Sequence, residues 1–239
     1  MRSDSRLRPV PADYDPSWII EGVLPFASGA VGSLVPVVFE SYGRVFHPAR
    51  LRSGAVVRWD TVAAWAGRTM HALAQFGPLS PPRDDTVVGA RPFELRPDDG
   101  ALPFLALRSL CDVLASHTTT PSACLVGVWE GRGWPELRRF QTLRLQLPER
   151  LFIVLEGPID AVEHLGWSHF NGSFVREAPS IIWPADRAWF ISTDVDQDST
   201  YLGGTIDLVE ALVADDRLEV WRVDPRDPIT ADGDTINLP

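Results

Sequence analysis

The chain has 239 residues, 45% of them hydrophobic and 23% charged, and its 32 acidic and 22 basic side chains give a net charge of −10. One domain of that length buries enough surface to fold without disulfides or a structural metal. The acidity repels phosphate backbones and so argues against a nucleic-acid partner.

Every basic residue is arginine. Without lysine there is no Schiff-base chemistry, no Walker-type phosphate lysine and no lysine general base. Arg138 and Arg139 form the only adjacent basic pair, so no basic patch is encoded locally. Cys111 and Cys124 match no zinc or redox spacing and read as small core residues. Residues 23–39 are apolar but broken by Pro25, Gly29, Gly32 and Pro36, which is too irregular for a membrane span or a signal peptide. A soluble cytoplasmic protein is expected.

In chain order, residues 1–16 are polar and proline-rich and are expected to form a flexible arm. Residues 31–47 carry β-branched and aromatic runs interrupted by Pro36 and Gly43, which predicts one or two edge strands. A helix is predicted from Asp60, capped by Asp60 or Thr61. Val62, Trp65, Ala66, Met70 and Leu73 form its apolar face, and Gly77-Pro78 stops it. The proline-rich, charged stretch 78–100 is the one place where a hinge is expected. A second helix starts at Pro103 and turns Leu107, Leu110, Cys111 and Leu114 inward.

Strands are then predicted at 124–130, 143–147 and 150–156, the last a continuous apolar run of the kind found in central strands. A short helix follows Gly157-Pro158, a polar loop covers 166–180, and another strand spans 188–193. After an acidic loop and the Gly203-Gly204 turn come a helix near 205–214 with Val209, Leu212 and Val213 inside, and a last strand at 218–223. The tail 224–239 is expected to be flexible and acidic. These elements predict an α+β fold: a mostly antiparallel sheet with about four helices in a single globular domain over 17–223.

The acidic loop is the strongest local signal. Asp194, Asp196 and Asp198 alternate along it, and Asp196 to Thr200 fit the D-x-D-x-T nucleophile loop of haloacid-dehalogenase-type phosphatases. Such a loop opens a long doubly wound domain that later supplies a lysine, and neither is present here. As a calcium loop the segment lacks the glycine and the closing glutamate. Three carboxylates this close still repel one another. A divalent cation at Asp194, Asp196 and Asp198, serving a metal-dependent hydrolase, is therefore kept as an alternative to a solvated turn beside Arg187 or Arg217.

Trp129, Trp134, Trp167, Trp183, Trp189 and Trp221 suggest a stacking surface, although most strand tryptophans are core. Trp134 and Trp167, in glycine-bearing loops beside Arg132 and His169, are expected to be the exposed pair. His47, His71, His117, His164 and His169 have no zinc-binding spacing. Glu156, at a strand end, is a lone carboxylate without a recognised catalytic partner.

The segments W-P-x-D-R-A-W at 183–189, S-T-Y-x-G-G at 199–204, L-E-V at 218–220 and W-E-G-x-G-W at 129–134 together resemble a set of proteins of high-GC actinobacteria to which no activity is assigned. The resemblance implies a soluble intracellular protein and transfers no catalytic residue. The expected function is a non-catalytic interaction protein that binds a protein partner, its acidity suiting a basic one, through Asp194, Asp196, Asp198, Trp134, Trp167 and Arg132. No cofactor is expected. A small-molecule binder with a tryptophan-lined pocket is the remaining alternative.

Overall fold

A computed structural model describes residues 6–11, 13–80, 89–134, 141–168 and 173–238, without the side chains of Trp167 and Ser168. The first elements are β1 (Arg8–Pro9), α1 (Ser17–Gly22), β2 (Ser41–Phe46) and the hairpin of β3 (Ala49–Arg50) with β4 (Val56–Val57). Three helices follow: α2 (Trp59–Ala66), α3 (Phe76–Leu79) and α4 (Phe104–Ser116). The chain then runs through β5 (Cys124–Trp129), β6 (Arg144–Leu147), β7 (Arg150–Gly157), β8 (Gly166–Ser168), β9 (Phe174–Arg176), β10 (Ile181–Pro184), β11 (Phe190–Ser192) and β12 (Ser199–Gly204). It closes with α5 (Ile206–Val213) and β13 (Val220–Val223).

Nine strands form one sheet in the order β1-β7-β5-β10-β11-β12-β2-β13, with β6 also paired to β7. All its pairings are antiparallel, so the fold is α+β with a single sheet at its centre.

Period-two alternation divides the core between the two faces of this sheet. Cys124, Val126 and Val128 of β5, with Ile153 and Leu155 of β7, pack with Leu110 and Leu114 of α4 and Leu208 and Leu212 of α5. Leu125, Phe152, Val154, Trp183 and Phe190 project the other way, into a core shared with Ile19 of α1 and with Val31 and Leu34. A third cluster joins Phe46 to Trp59, Val62, Phe76 and Phe93 beneath the β3–β4 hairpin. Helix α4 buries the face its periodicity predicts. Helix α5 buries Val209 and Leu212 as expected, but Leu208 is inside in place of Val213, which is exposed, and Thr205 caps the helix by accepting from the Leu208 N–H.

Several expectations are corrected. Strand β2 lies in the interior of the sheet, between β12 and β13, because Pro36 falls in the loop before it. Residues 199–204 form a buried strand instead of a turn. Gly203 and Gly204 serve close packing there: a Cβ would lie 2.5 Å from the Phe39 ring at the first and 2.6 Å from Leu208 at the second. Helix α2 ends at Gly67, whose φ of 65° is left-handed, and does not run on to Leu73. Its first turn is capped from a distance, since the buried Glu219 carboxylate accepts from the N–H groups of Trp59 and Asp60 at 2.7 and 2.9 Å.

Neither terminus is loose where it is described. Leu7 and Val10 are buried as β1 pairs with β7. In the tail, Asp234 and Asn237 are buried against the segment after α2. Part of the expected hinge, 81–88, lies outside the described residues. In the remainder Phe93 is buried and Leu95 bridges to Arg50.

Burial pushes the Asp234 carboxyl up, but hydrogen bonds from Asn237, His71 and the Gln75 N–H outweigh it and hold the group at about 2. Its folded value is depressed, so its stabilisation is present above the ordinary carboxylate range and is lost as pH falls from about 4 toward about 2. Asp234→Ala is expected to cost roughly 2–3 kcal/mol at neutral pH by leaving several donors unpaired. Urea unfolding measures that cost, and the variant should lack this part of the acid sensitivity.

Candidate functional site

The acidic loop between β11 and β12 leads its carboxylates to different partners. Asp194 accepts from Arg150 Nε at 3.0 Å and from Nη2 at 3.2 Å, a two-point clasp in which the side chains are 9% and 17% exposed. Asp198 lies 3.6 Å from Nη2 of the buried Arg44 and accepts from the Ser199 hydroxyl. Burial raises the Asp198 carboxyl above its ordinary range, with Arg44 and Ser199 pulling the other way. Asp196 is 81% exposed and reaches Arg150 only at 3.8 Å.

The neutralising arginines are therefore Arg150 and Arg44, not Arg187 or Arg217. Arg187 lies over the Trp18 ring, and Arg217 pairs with Asp215 and Asp112. Among the described residues, no group of three or more His, Cys, Asp or Glu side chains is placed to hold a metal ion. The three aspartates do not converge as the divalent-cation alternative requires.

Arg150 stands at the centre of a cleft. Its guanidinium carbon is 4.9 Å from the Phe26 ring centroid and 5.3 Å from that of Trp129. The cleft is shallow, with about 20 Å3 of free space between apolar walls that include Leu34, Leu147 and Phe152, and with Ser180, Ser192 and Thr193 as polar groups. Beside it, a second, open depression of about 500 Å3 shares Trp129 and Arg150 and carries Glu130 and Glu149. Glu149 turns the β6–β7 hairpin with a φ of 62°, the left-handed region that favours glycine.

The tryptophans are not distributed as expected. Trp134 is buried in the core with α4 and α5, so it offers no contact surface. Trp167 lies in β8, its side chain outside the description, and His169 also falls outside the described residues. Arg132 is committed to Glu177 at 2.9 Å and to the Gly100 carbonyl at 2.6 Å. Trp183 and Trp189 are core, whereas Trp221 on the edge strand β13 is 39% exposed and Trp129 half-buried. Arg150 and Glu149 are not among the residues the sequence singled out, because each looks locally like an ordinary strand-end or hairpin residue. Trp129 is among the six tryptophans that suggested a stacking surface but not in the pair expected to be exposed.

Other reactive groups are enclosed. Cys111 and Cys124 are free and buried, and burial raises both thiols. Glu156 pairs with Arg8. His47 is fully buried: Nδ1 lies 2.8 Å from the Asp98 carbonyl and Nε2 3.0 Å from the Thr200 hydroxyl. A carbonyl only accepts, so Nδ1 donates and Nε2 of the neutral ring accepts from Thr200, which in turn accepts from Thr193 at 2.7 Å. Burial lowers the imidazole to about 4, Arg44 adding to the effect and the Asp98 carbonyl opposing it.

Two expectations follow. Neutral His47 stabilises the fold fully above its unfolded value near 6.5, and this contribution, roughly 3 kcal/mol, is lost as pH falls toward 4. The raised carboxyl of Asp198 titrates with the opposite sign, so the measurement is the difference in urea-unfolding free energy between wild type and His47→Gln at pH 7 and pH 5. That difference should shrink at the lower pH. Separately, a double-mutant cycle with Arg150→Met and Asp194→Asn should return a coupling of about 1–2 kcal/mol, because either single change strands a partly buried charge or donor.

No helix among the described residues is long and apolar enough to cross a membrane. Comparison of the chain with protein-family models, with curated proteins and with solved structures returned no match.

Proposed function

We propose that this chain is a non-catalytic interaction protein whose contact face is the end of the sheet around Trp129 and Arg150, and that its protein partner presents basic side chains there. One observation carries the reading. Half-buried Trp129 lines both adjoining depressions, and their rim bears carboxylates that the neighbouring arginines do not fully neutralise. Arg150 is occupied by Asp194, and Arg144 faces Glu130 at 3.2 Å, which leaves Glu149 and the exposed Asp196 directed outward. An aromatic anchor within an acidic rim suits a basic partner: the ring supplies desolvated contact, and the charges supply long-range attraction.

Glu149 supports the same reading. A glutamate at a left-handed turn position strains the backbone where glycine would relax it, and such strain is commonly retained at functional sites. Relative to the sequence expectation, the face keeps the acidic loop and replaces Trp134 and Trp167 with Trp129.

The test is affinity purification of the tagged chain from its native cells at low salt. A stoichiometric partner should be captured, released as salt rises, and absent with Trp129→Ala. Glu149→Gly should raise stability by about 1 kcal/mol while slowing association with that partner. Capture that is unchanged in both variants would refute this contact face.

A further inference from the structure

On the opposite face of the sheet, a cavity of about 230 Å3 opens beside the N-terminus of α4 and shares no lining residue with the Arg150 cleft. Its floor is apolar, built from Leu102, Leu107, Val162 and Ala178. Two arginines stand on its walls. Arg50 is occupied by Asp98 at 2.6 Å. Arg176 is exposed, holds its guanidinium carbon over the Phe104 ring 3.9 Å from the centroid, and has no carboxylate partner among the described residues. Glu177, also on the wall, is taken by Arg132.

We propose that this cavity binds a small carboxylate with an apolar body. The charge balance selects the head group. With Arg50 and Glu177 each matched by an opposite charge, Arg176 is the single uncompensated cation, which suits a monoanion better than a phosphate dianion beside Asp98 and Glu177. A planar guanidinium already held over Phe104 is pre-organised to bind a carboxylate at two points. The first turn of α4, a helix of 13 residues with no side-chain cap, adds N–H groups of favourable polarity at the same wall. The apolar floor selects the body, since alkyl or aryl carbon replaces water there.

The test titrates sodium octanoate into the full chain at low ionic strength, by calorimetry and by thermal unfolding. Octanoate is expected to bind saturably and raise the melting temperature, while octan-1-ol, which lacks the charge, and inorganic phosphate, which lacks the apolar body, bind at least tenfold more weakly. Arg176→Gln should weaken octanoate binding about tenfold or more. Arg222→Gln, which removes another surface arginine, should leave it unchanged. The proposal is overturned if octanoate does not bind saturably, if octanol or phosphate binds as well, or if Arg176→Gln retains wild-type affinity. Equal losses in the two arginine variants would overturn it too.

Discussion

A guanidinium enclosed inside a protein needs a counter-charge and hydrogen-bond acceptors around it, because an uncompensated ion there costs several kcal/mol. Arg44, 1% exposed on β2, imposes that condition on this fold. Its Nε donates to Ser199 on β12, and its Nη1 donates to the carbonyls of Ala72 and Ala74 in the segment after α2. Its guanidinium carbon lies 4.3 Å from the Phe46 ring centroid, with the Trp59 and Tyr201 rings farther out. Asp198 supplies the counter-charge from the acidic loop. One side chain thus ties together the sheet, the satellite cluster under the β3–β4 hairpin and the start of β12.

The same requirement shapes the acidic loop. With Asp198 drawn toward Arg44 and Asp194 toward Arg150, the repulsion among its carboxylates is relieved by protein cations, and only Asp196 projects into solvent. The loop anchors the end of the sheet and holds Arg150 between Phe26 and Trp129. The sheet then separates two kinds of surface: an acidic, aromatic-centred face on one side, and on the other an apolar cavity with one uncompensated arginine. Their chemistries differ because alternate residues of the same strands face opposite ways.

The sequence made some of this legible. The inward face of α4, two of the three inward positions expected on α5, and the strands β5, β6 and β7 followed from periodicity, and so did the α+β class. Strand β12 was not legible, since Ser-Thr-Tyr-Leu-Gly-Gly has the composition of a turn. Its glycines become strand residues only because Phe39 and Leu208 press against them. Likewise Gly67 stops α2 although the apolar spacing continues beyond it, and the stabilisation of that helix's first turn comes from the distant Glu219, just before β13.

By itself the sequence determined which segments have an apolar face, that the chain is acidic and that lysine chemistry is absent, because these depend on local spacing and composition. Only the tertiary structure decided which charges meet. Arg150 and Asp194 are 44 positions apart and Arg44 and Ser199 155 apart, and the order of antiparallel strands sets both meetings. It also decided that Trp134 is core while Trp129 and Trp221 reach solvent. The burial of a tryptophan depends on what packs over it, and for these three the covering elements come from elsewhere in the chain.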